Sequence, residues 1–306
     1  GRTLVLINPV AGHDDPAQLR RLLGGAFAAR GASFDIVETG FAGHATELAR
    51  LAVAEGYRAV ALVGGDGTLA EVATGLAGTR VPLAIIARGT ANQVPRNLGI
   101  PLGIEAAVEV AVGGTPIPLD LGRVGDRVFA LAAGAGYDAA VMAAASRELK
   151  ERFGFGAYLI AALREVFNMA PAEFHIVADD RELTVRAVSV MLANVGELFA
   201  GYLPIRFPLA PRTTTPLQSW QDGLLDVLIL APEGLRGLAE VLWRAARRRF
   251  GGDERLIHFQ ARRVEIHAEP PMAVQIDGDA AGTTPLHAEA VPHGVYVLVA
   301  GPGNAN

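Results

Sequence analysis

Cysteine is absent from the 306 residues, which excludes disulfides, thiolate nucleophiles and cysteine-held zinc, and fits a reducing compartment. Lysine is nearly absent too. Lys150 stands alone, so no Lys-Ser or Lys-Thr pair completes a P-loop, and other cationic work falls to arginine. Positive charge is the minority, with 27 Lys and Arg against 32 Asp and Glu. The balance of −5 argues against bulk attraction to nucleic acid or anionic lipid, leaving only local patches for such contacts. Long hydrophobic runs are missing as well: the longest weakly polar stretch, 129–145, is interrupted by glycine and Asp138 and is too short to span a bilayer. The chain enters a strand at once, so no signal peptide is expected.

What is present is an apolar, glycine-rich chain, 51% hydrophobic with 36 glycines and 18 prolines, long enough for two domains with separate cores. Its organising stretch is Ala59-Val60-Ala61-Leu62-Val63-Gly64-Gly65-Asp66-Gly67-Thr68. Five apolar residues read as a strand buried on both faces, and the glycines after it as a turn with positive φ that lets backbone approach a ligand. Thr68 and Glu71 stand at capping-box spacing, predicting a helix that carries Leu69, Val72, Ala73 and Leu76 and stops at Gly78. The helix start would present free N–H groups to an anion. Asp66 would repel phosphate there unless Mg²⁺ lay between them, so the loop suggests a metal-nucleotide site.

Strands are predicted at 3–7, 34–37, 59–63 and 81–86, alternating with helices at 16–30 and 47–55. That grammar predicts a Rossmann-like parallel sheet whose ligand edge gathers Asn8, Thr39, 64–68 and 88–92. After Asp120 it changes. A helical stretch over 139–168 leads to strands at 174–177, 183–193, 224–230, 264–267, 274–277 and 295–299, separated by Gly, Pro and Asp turns, which predicts an antiparallel β-sandwich. The expected domains are 1–120 and 121–292, with a cleft between them.

Two further segments invite functional readings. Gly134-Ala135-Gly136-Tyr137-Asp138-Ala139 matches a dinucleotide fingerprint, yet no second parallel strand ending in an acid follows at the required distance. Over 233–250 Leu235, Leu238 and Leu242 share one helical face, with Arg236, Arg244, Arg247 and Arg248 opposite and Trp243 and Phe250 near the boundary. Such a helix suits a membrane surface or simply a solvated face.

With these residues in hand, the chain resembles the diacylglycerol kinase catalytic family, soluble bacterial lipid kinases related to sphingosine and ceramide kinases, over nearly its whole length. The likeness is carried by Asn8-Pro9 with Gly12, Gly64 to Thr68 with Glu71, Gly89-Thr90-Ala91-Asn92, Asp120-Leu121-Gly122, Asp222-Gly223-Leu224-Leu225-Asp226 and Asp277-Gly278-Asp279. The resemblance implies an α/β lobe followed by a β-sandwich, with residues 293–306 returning to the first lobe. It implies ATP and Mg²⁺ as cofactors, with nucleotide contacts on Asn8, Pro9, Gly12, Thr39, Gly64, Gly65, Asp66, Gly67, Thr68, Glu71, Gly89, Thr90 and Asn92. Asp279 would be the general base with Asp277 its rival. Asp66 and Asp120 would form the acid and water network around catalytic magnesium. A structural Mg²⁺ would use Asp222 and backbone oxygens near Ser219 and Leu224.

Three positions depart from the family pattern: Gln93 stands where many members have Asp, Asp279 where they usually have Glu, and Pro95 where they often have Ala. Pro95 is harmless if Asn92 caps the helix that contains it. A lipid slot is expected at the lobe junction or along 129–167. The implied partner is a neutral lipid at the cytoplasmic face of the inner membrane, met by peripheral contact, with no nucleic acid, no transmembrane segment and room for a homodimer. Two other readings stay open, an NAD-kinase-like enzyme and a non-catalytic nucleotide- or lipid-binding module.

Overall fold

The computed structural model describes residues 1–12, 15–144, 170–194, 220–232 and 255–301, together with 161, 165, 197–198, 207–208, 237, 240 and 243. The chain divides into two compact units, Gly1–Asp120 with His293–Asn306, and Leu121–Pro292.

In the first unit β1 (Thr3–Ile7), α1 (Pro16–Ala29), β2 (Phe34–Glu38), α2 (His44–Ala54), β3 (Ala59–Gly64), α3 (Asp66–Leu76) and β4 (Leu83–Ala87) alternate without exception. Two more helices, α4 (Gln93–Asn97) and α5 (Ile104–Gly113), precede β5 (Thr115–Val124). The sheet runs β2-β1-β3-β4, all parallel. β1 and β3 are buried at every position, as strands covered on both faces must be. Val5, Ile7, Ala61 and Val63 pack with Leu23 and Phe27 of α1 and Val108 and Ala111 of α5 in one core.

The second unit is built from β6 (Arg127–Phe129), β7 (Ala132–Gly136), α6 (Tyr137–Ala144), β8 (Ala172–Ala178), β9 (Arg181–Ala187), β10 (Ser189–Ala193), β11 (Glu197–Leu198), β12 (Phe207–Pro208), β13 (Leu225–Leu230), β14 (Leu256–Ala261), β15 (Arg263–Glu269), β16 (Ala273–Ile276), β17 (Asp279–Thr283) and the first part of β18 (Leu286–Val299). One sheet orders β18-β15-β8-β9 and the other β14-β13-β10-β7-β16-β17, and the paired strands run antiparallel. Phe174, Ile176, Val264 and Ile266 of the first sheet share a core with Val190, Leu192, Val227, Ile229 and Ile276 of the second. That shared filling is a β-sandwich. The last part of β18 belongs to the first unit, where Val297 pairs in parallel with Leu83 of β4.

Three local expectations are corrected. The single strand predicted over 183–193 is two strands, β9 and β10, divided at Val188 and placed in different sheets. Val188 donates to the Leu230 carbonyl and accepts from the Tyr137 N–H, so the chain turns a sandwich corner there without losing its backbone partners. The capping box does not form. Gly65 is the N-cap of α3, Thr68 bonds to Asn8, and the Glu71 carboxylate accepts the Ala45 N–H of α2. Asn92 does not cap α4 with its side chain either; that helix is capped from elsewhere, and Pro95 lies in its first turn, where a missing N–H costs nothing.

Candidate functional site

In a parallel sheet ordered 2-1-3-4 the chain leaves β1 and β3 in opposite directions, so their carboxyl ends bound a crevice. Asn8 follows β1, and its backbone N–H donates to the Val63 carbonyl of β3. Its side-chain Nδ2 donates to Thr68 Oγ1 at 2.7 Å. Asn8 Oδ1 accepts the Val10 N–H, closing the turn that continues through Pro9 to Gly12, where φ is +81°. Thr39 reaches the same edge by donating its N–H to the Ile7 carbonyl. Asn8, Pro9, Gly12, Thr39 and the 64–68 loop therefore gather at one end of one sheet.

The glycines of this loop serve closeness rather than unusual φ. None of Gly64, Gly65 and Gly67 has positive φ, which corrects the expected turn geometry. A Cβ on Gly89 would lie 2.5 Å from the Gly65 Cα, and one on Gly65 would lie 3.0 Å from the Gly89 Cα. Two backbones touch there, and only glycine on both sides permits it. Arg88 donates its N–H to the Gly64 carbonyl at 2.7 Å, and Asn92 grips Gly89 twice, accepting its N–H and donating to its carbonyl. Gly67 and Thr90 are left exposed on this edge.

Asp66 links the two loops. Its carboxylate accepts the N–H groups of Gln93 at 3.0 Å and Val94 at 3.2 Å, so it caps α4 from a distant point in sequence. Desolvation raises the pKa of the enclosed carboxyl, while these amides and the charge of Arg96 oppose the rise. The residue keeps partial solvent contact. The amides of Gln93 and Val94 thus already meet part of the Asp66 charge.

In the second unit Asp277 and Gly278 are the central residues of a hairpin between β16 and β17, with φ of +48° and +88°. Positive φ at both positions is what a two-residue I′ turn requires, and Asp-Gly supplies it. The Asp277 carboxylate accepts the N–H groups of Ala130 at 2.8 Å, Leu131 at 2.8 Å and Ala132 at 3.0 Å. With its oxygens so engaged, Asp277 clamps the turn onto the 130–132 amides. Asp279 is different. Its side chain is 66% exposed and meets the Arg127 guanidinium at 3.4 Å.

Asp120 is almost wholly buried and accepts the His293 N–H at 2.7 Å, joining β5 to β18 within the first unit. Asp222 accepts the Leu224 N–H at 2.9 Å and the Gln260 amide at 3.2 Å, closing the loop that precedes β13. Ser219 lies outside the described residues, and among those described no three His, Asp or Glu side chains are grouped to hold a metal. Most of the predicted helix over 233–250, including Phe250, also lies outside them. Trp243 is described, helical and 58% exposed. Of the 129–167 segment, the part after Ala144 is described only at residues 161 and 165.

Sequence reasoning passed over Asp138. The dinucleotide fingerprint around it fails, because β7 is antiparallel to both neighbours. Instead the Asp138 carboxylate is buried beneath α6, accepting from Ser189 Oγ at 2.6 Å and Gln275 Nε2 at 3.1 Å. A charged residue interrupting the apolar 129–145 run was the available signal.

The diacylglycerol kinase catalytic domain model matches residues 2–124, and the YegS C-terminal NAD kinase beta sandwich-like domain model matches residues 132–299. A diacylglycerol kinase of Mycobacterium tuberculosis is 31% identical over 310 residues, covering 97% of this chain and 95% of the relative. An uncharacterized protein of Synechocystis sp. is 30% identical over 253 residues, and the match spans 80% of this chain but 55% of that longer protein. A crystal structure from Bacillus anthracis, assigned as a diacylglycerol kinase, superposes with a TM-score of 0.78 at 25% identity, covering 99% of this chain and 98% of that one. These matches, over both the α/β unit and the β-sandwich, make the chain a lipid kinase. It belongs to the diacylglycerol kinase family.

Proposed function

We propose that the chain transfers the γ-phosphate of ATP, with Mg²⁺, to the hydroxyl of a neutral lipid, diacylglycerol giving phosphatidic acid. The observation that carries this reading is the β1–β3 switch point, where Asn8, Thr68 and the Gly65–Gly89 contact lie beside the exposed residues Gly67 and Thr90. Phosphoryl transfer asks mainly for positioned phosphates, neutralised charge and an oriented hydroxyl. Backbone amides of the 65–68 and 89–92 loops would bind the phosphates without any lysine, supported by the α3 N-terminus.

The donor chemistry fits magnesium. Mg²⁺ takes hard oxygen ligands, keeps several waters and commonly needs one or two carboxylates plus substrate phosphates, so a three-acid cage is not required. Asp66, partly exposed and with lone pairs beyond those used by Gln93 and Val94, would hold it, and Asp120 would take part through water. The ion would supply charge neutralisation on the transferred group. Asp279 would accept the proton of the attacking lipid hydroxyl as general base. Asp222 with backbone oxygens near Ser219 and Leu224 would hold a second, structural Mg²⁺.

The first unit is thus read as the nucleotide-binding domain and the second as the lipid-substrate domain, acting by peripheral contact at the inner membrane face. No helix among the described residues is long and apolar enough to cross a membrane, which leaves that peripheral reading open. Labelled ATP and Mg²⁺ are incubated with the pure protein and either diacylglycerol in mixed micelles or NAD. Label in phosphatidic acid supports the reading, label in NADP replaces it with an NAD-kinase-like enzyme, and nucleotide binding without transfer to either replaces it with a binding module. Vesicle co-sedimentation of Trp243→Ala with Phe250→Ala tests the helix as an anchor, and undiminished binding removes that role.

A further inference from the structure

Along β7, β10 and β16 the side chains alternate between the sandwich core and the outer face. Ala133, Ala135, Val190, Val274 and Ile276 point into the core. Gly134 and Gln275, which are register partners, therefore face outward, towards α6. Asp138, the second residue of α6, fills the space the glycine leaves: a Cβ on Gly134 would sit 2.1 Å from Asp138 Oδ2. Asp138, Ser189 and Gln275 are all buried, so each polar atom there needs a defined partner.

The partners form one directed chain. Ser189 Oγ donates to Asp138 Oδ1, Gln275 Nε2 donates to Asp138 Oδ2, and Gln275 Oε1 accepts the Gly278 N–H at 2.8 Å. A carboxylate only accepts, and an N–H only donates. Between them the Gln275 amide can sit one way round, nitrogen towards Asp138 and oxygen towards Gly278. Reversed, it would face donor to donor and acceptor to acceptor. Gly278 is the residue before Asp279.

We infer that Asp138, acting through Gln275, is a positioning residue for the hairpin turn that carries Asp279. Asp277 clamps one side of the turn onto the 130–132 amides, and Gln275 holds the other by its single N–H contact. Asp138 touches no residue assigned to substrate, and it acts only by fixing the Gln275 amide. The role in transfer rests on the lipid kinase reading with Asp279 as base, whereas the hold on the turn stands without it.

Three variants separate these statements. Gln275→Leu removes the acceptor for Gly278, Asp138→Ala frees the glutamine amide to turn, and Asp138→Asn keeps an oxygen for Gln275 Nε2 while its NH₂ meets the Ser189 hydroxyl. Amide hydrogen exchange is measured on ligand-free protein over the 275–283 peptide. Exchange at the turn is expected to rise about tenfold in Gln275→Leu and Asp138→Ala and to stay near wild type in Asp138→Asn. Kinetics with ATP and diacylglycerol micelles should show kcat falling about 10²-fold in the first two, both KM values within about twofold, and recovery in Asp138→Asn. Unchanged exchange in folded Gln275→Leu overturns the hold on the turn. Faster exchange with undiminished kcat overturns the positioning role. A wild-type protein that phosphorylates no lipid overturns the kinase reading instead, and exchange then decides the hold on the turn alone.

Discussion

Asp66 in the α/β unit and Asp277 in the β unit do the same physical work with opposite leftovers. Each carboxylate reaches across the fold to take consecutive backbone N–H groups, Gln93 and Val94 in one case and Ala130, Leu131 and Ala132 in the other. Asp66 thereby docks a second loop beside its own, with Gly67 and Thr90 exposed along it. Asp277 fixes a turn and leaves one carboxylate, Asp279, exposed beside Arg127. Motif acids are therefore not equivalent. Asp277, with three amides on its two oxygens, sets shape, whereas Asp66 keeps partial solvent contact beside its amides and Asp279 is exposed.

The largest effect expected from this contrast is at the exposed acid. Asp279→Asn should lower kcat by about 10³-fold or more while nucleotide affinity, read by equilibrium titration, changes little. Full activity in that variant would show that the base lies elsewhere. Asp66→Asn should also abolish transfer to within assay background, and in addition speed amide exchange at Gln93 and Val94, because one of two amide acceptors is lost. Loss of activity with undisturbed exchange would separate a charge role from a structural one.

A smaller effect belongs to the loop contact. Gly89→Ala places a methyl against the Gly65 backbone and should cost about 1–3 kcal/mol in denaturant unfolding, with weakened nucleotide binding. The smallest concerns pH. Burial raises the pKa of the Asp138 carboxyl, against the Ser189 and Gln275 donors that favour its charged form. Wild-type stability relative to Asp138→Asn should be greatest below the unfolded-state value and decline as pH rises through the raised folded value. Denaturant titrations at stepped pH check the sign, and a rise in the opposite direction contradicts it.

The parallel sheet was legible because its strands are continuous apolar runs alternating with amphipathic helices, a pattern local in sequence. The sandwich was legible from its turns, but 183–193 reads as one strand since nothing local to Val188 announces a change of sheet. Thr68 and Glu71 misled in a similar way: capping-box spacing is a local rule, and tertiary partners Asn8 and Ala45 took both side chains. Asp277 and Asp279 cannot be told apart from an Asp-Gly-Asp string. The 130–132 amides that engage one of them come from about 145 residues earlier in the chain, at separations of 145 to 147.

By itself the sequence determined the two-part architecture, the lysine-free glycine loop and the set of acids in order, because burial patterns and turn residues are written in neighbouring positions. Tertiary structure alone decided what each acid does. A carboxylate's role depends on which distant amides, hydroxyls or solvent its oxygens meet, and those partners are brought together only when the strands take their places.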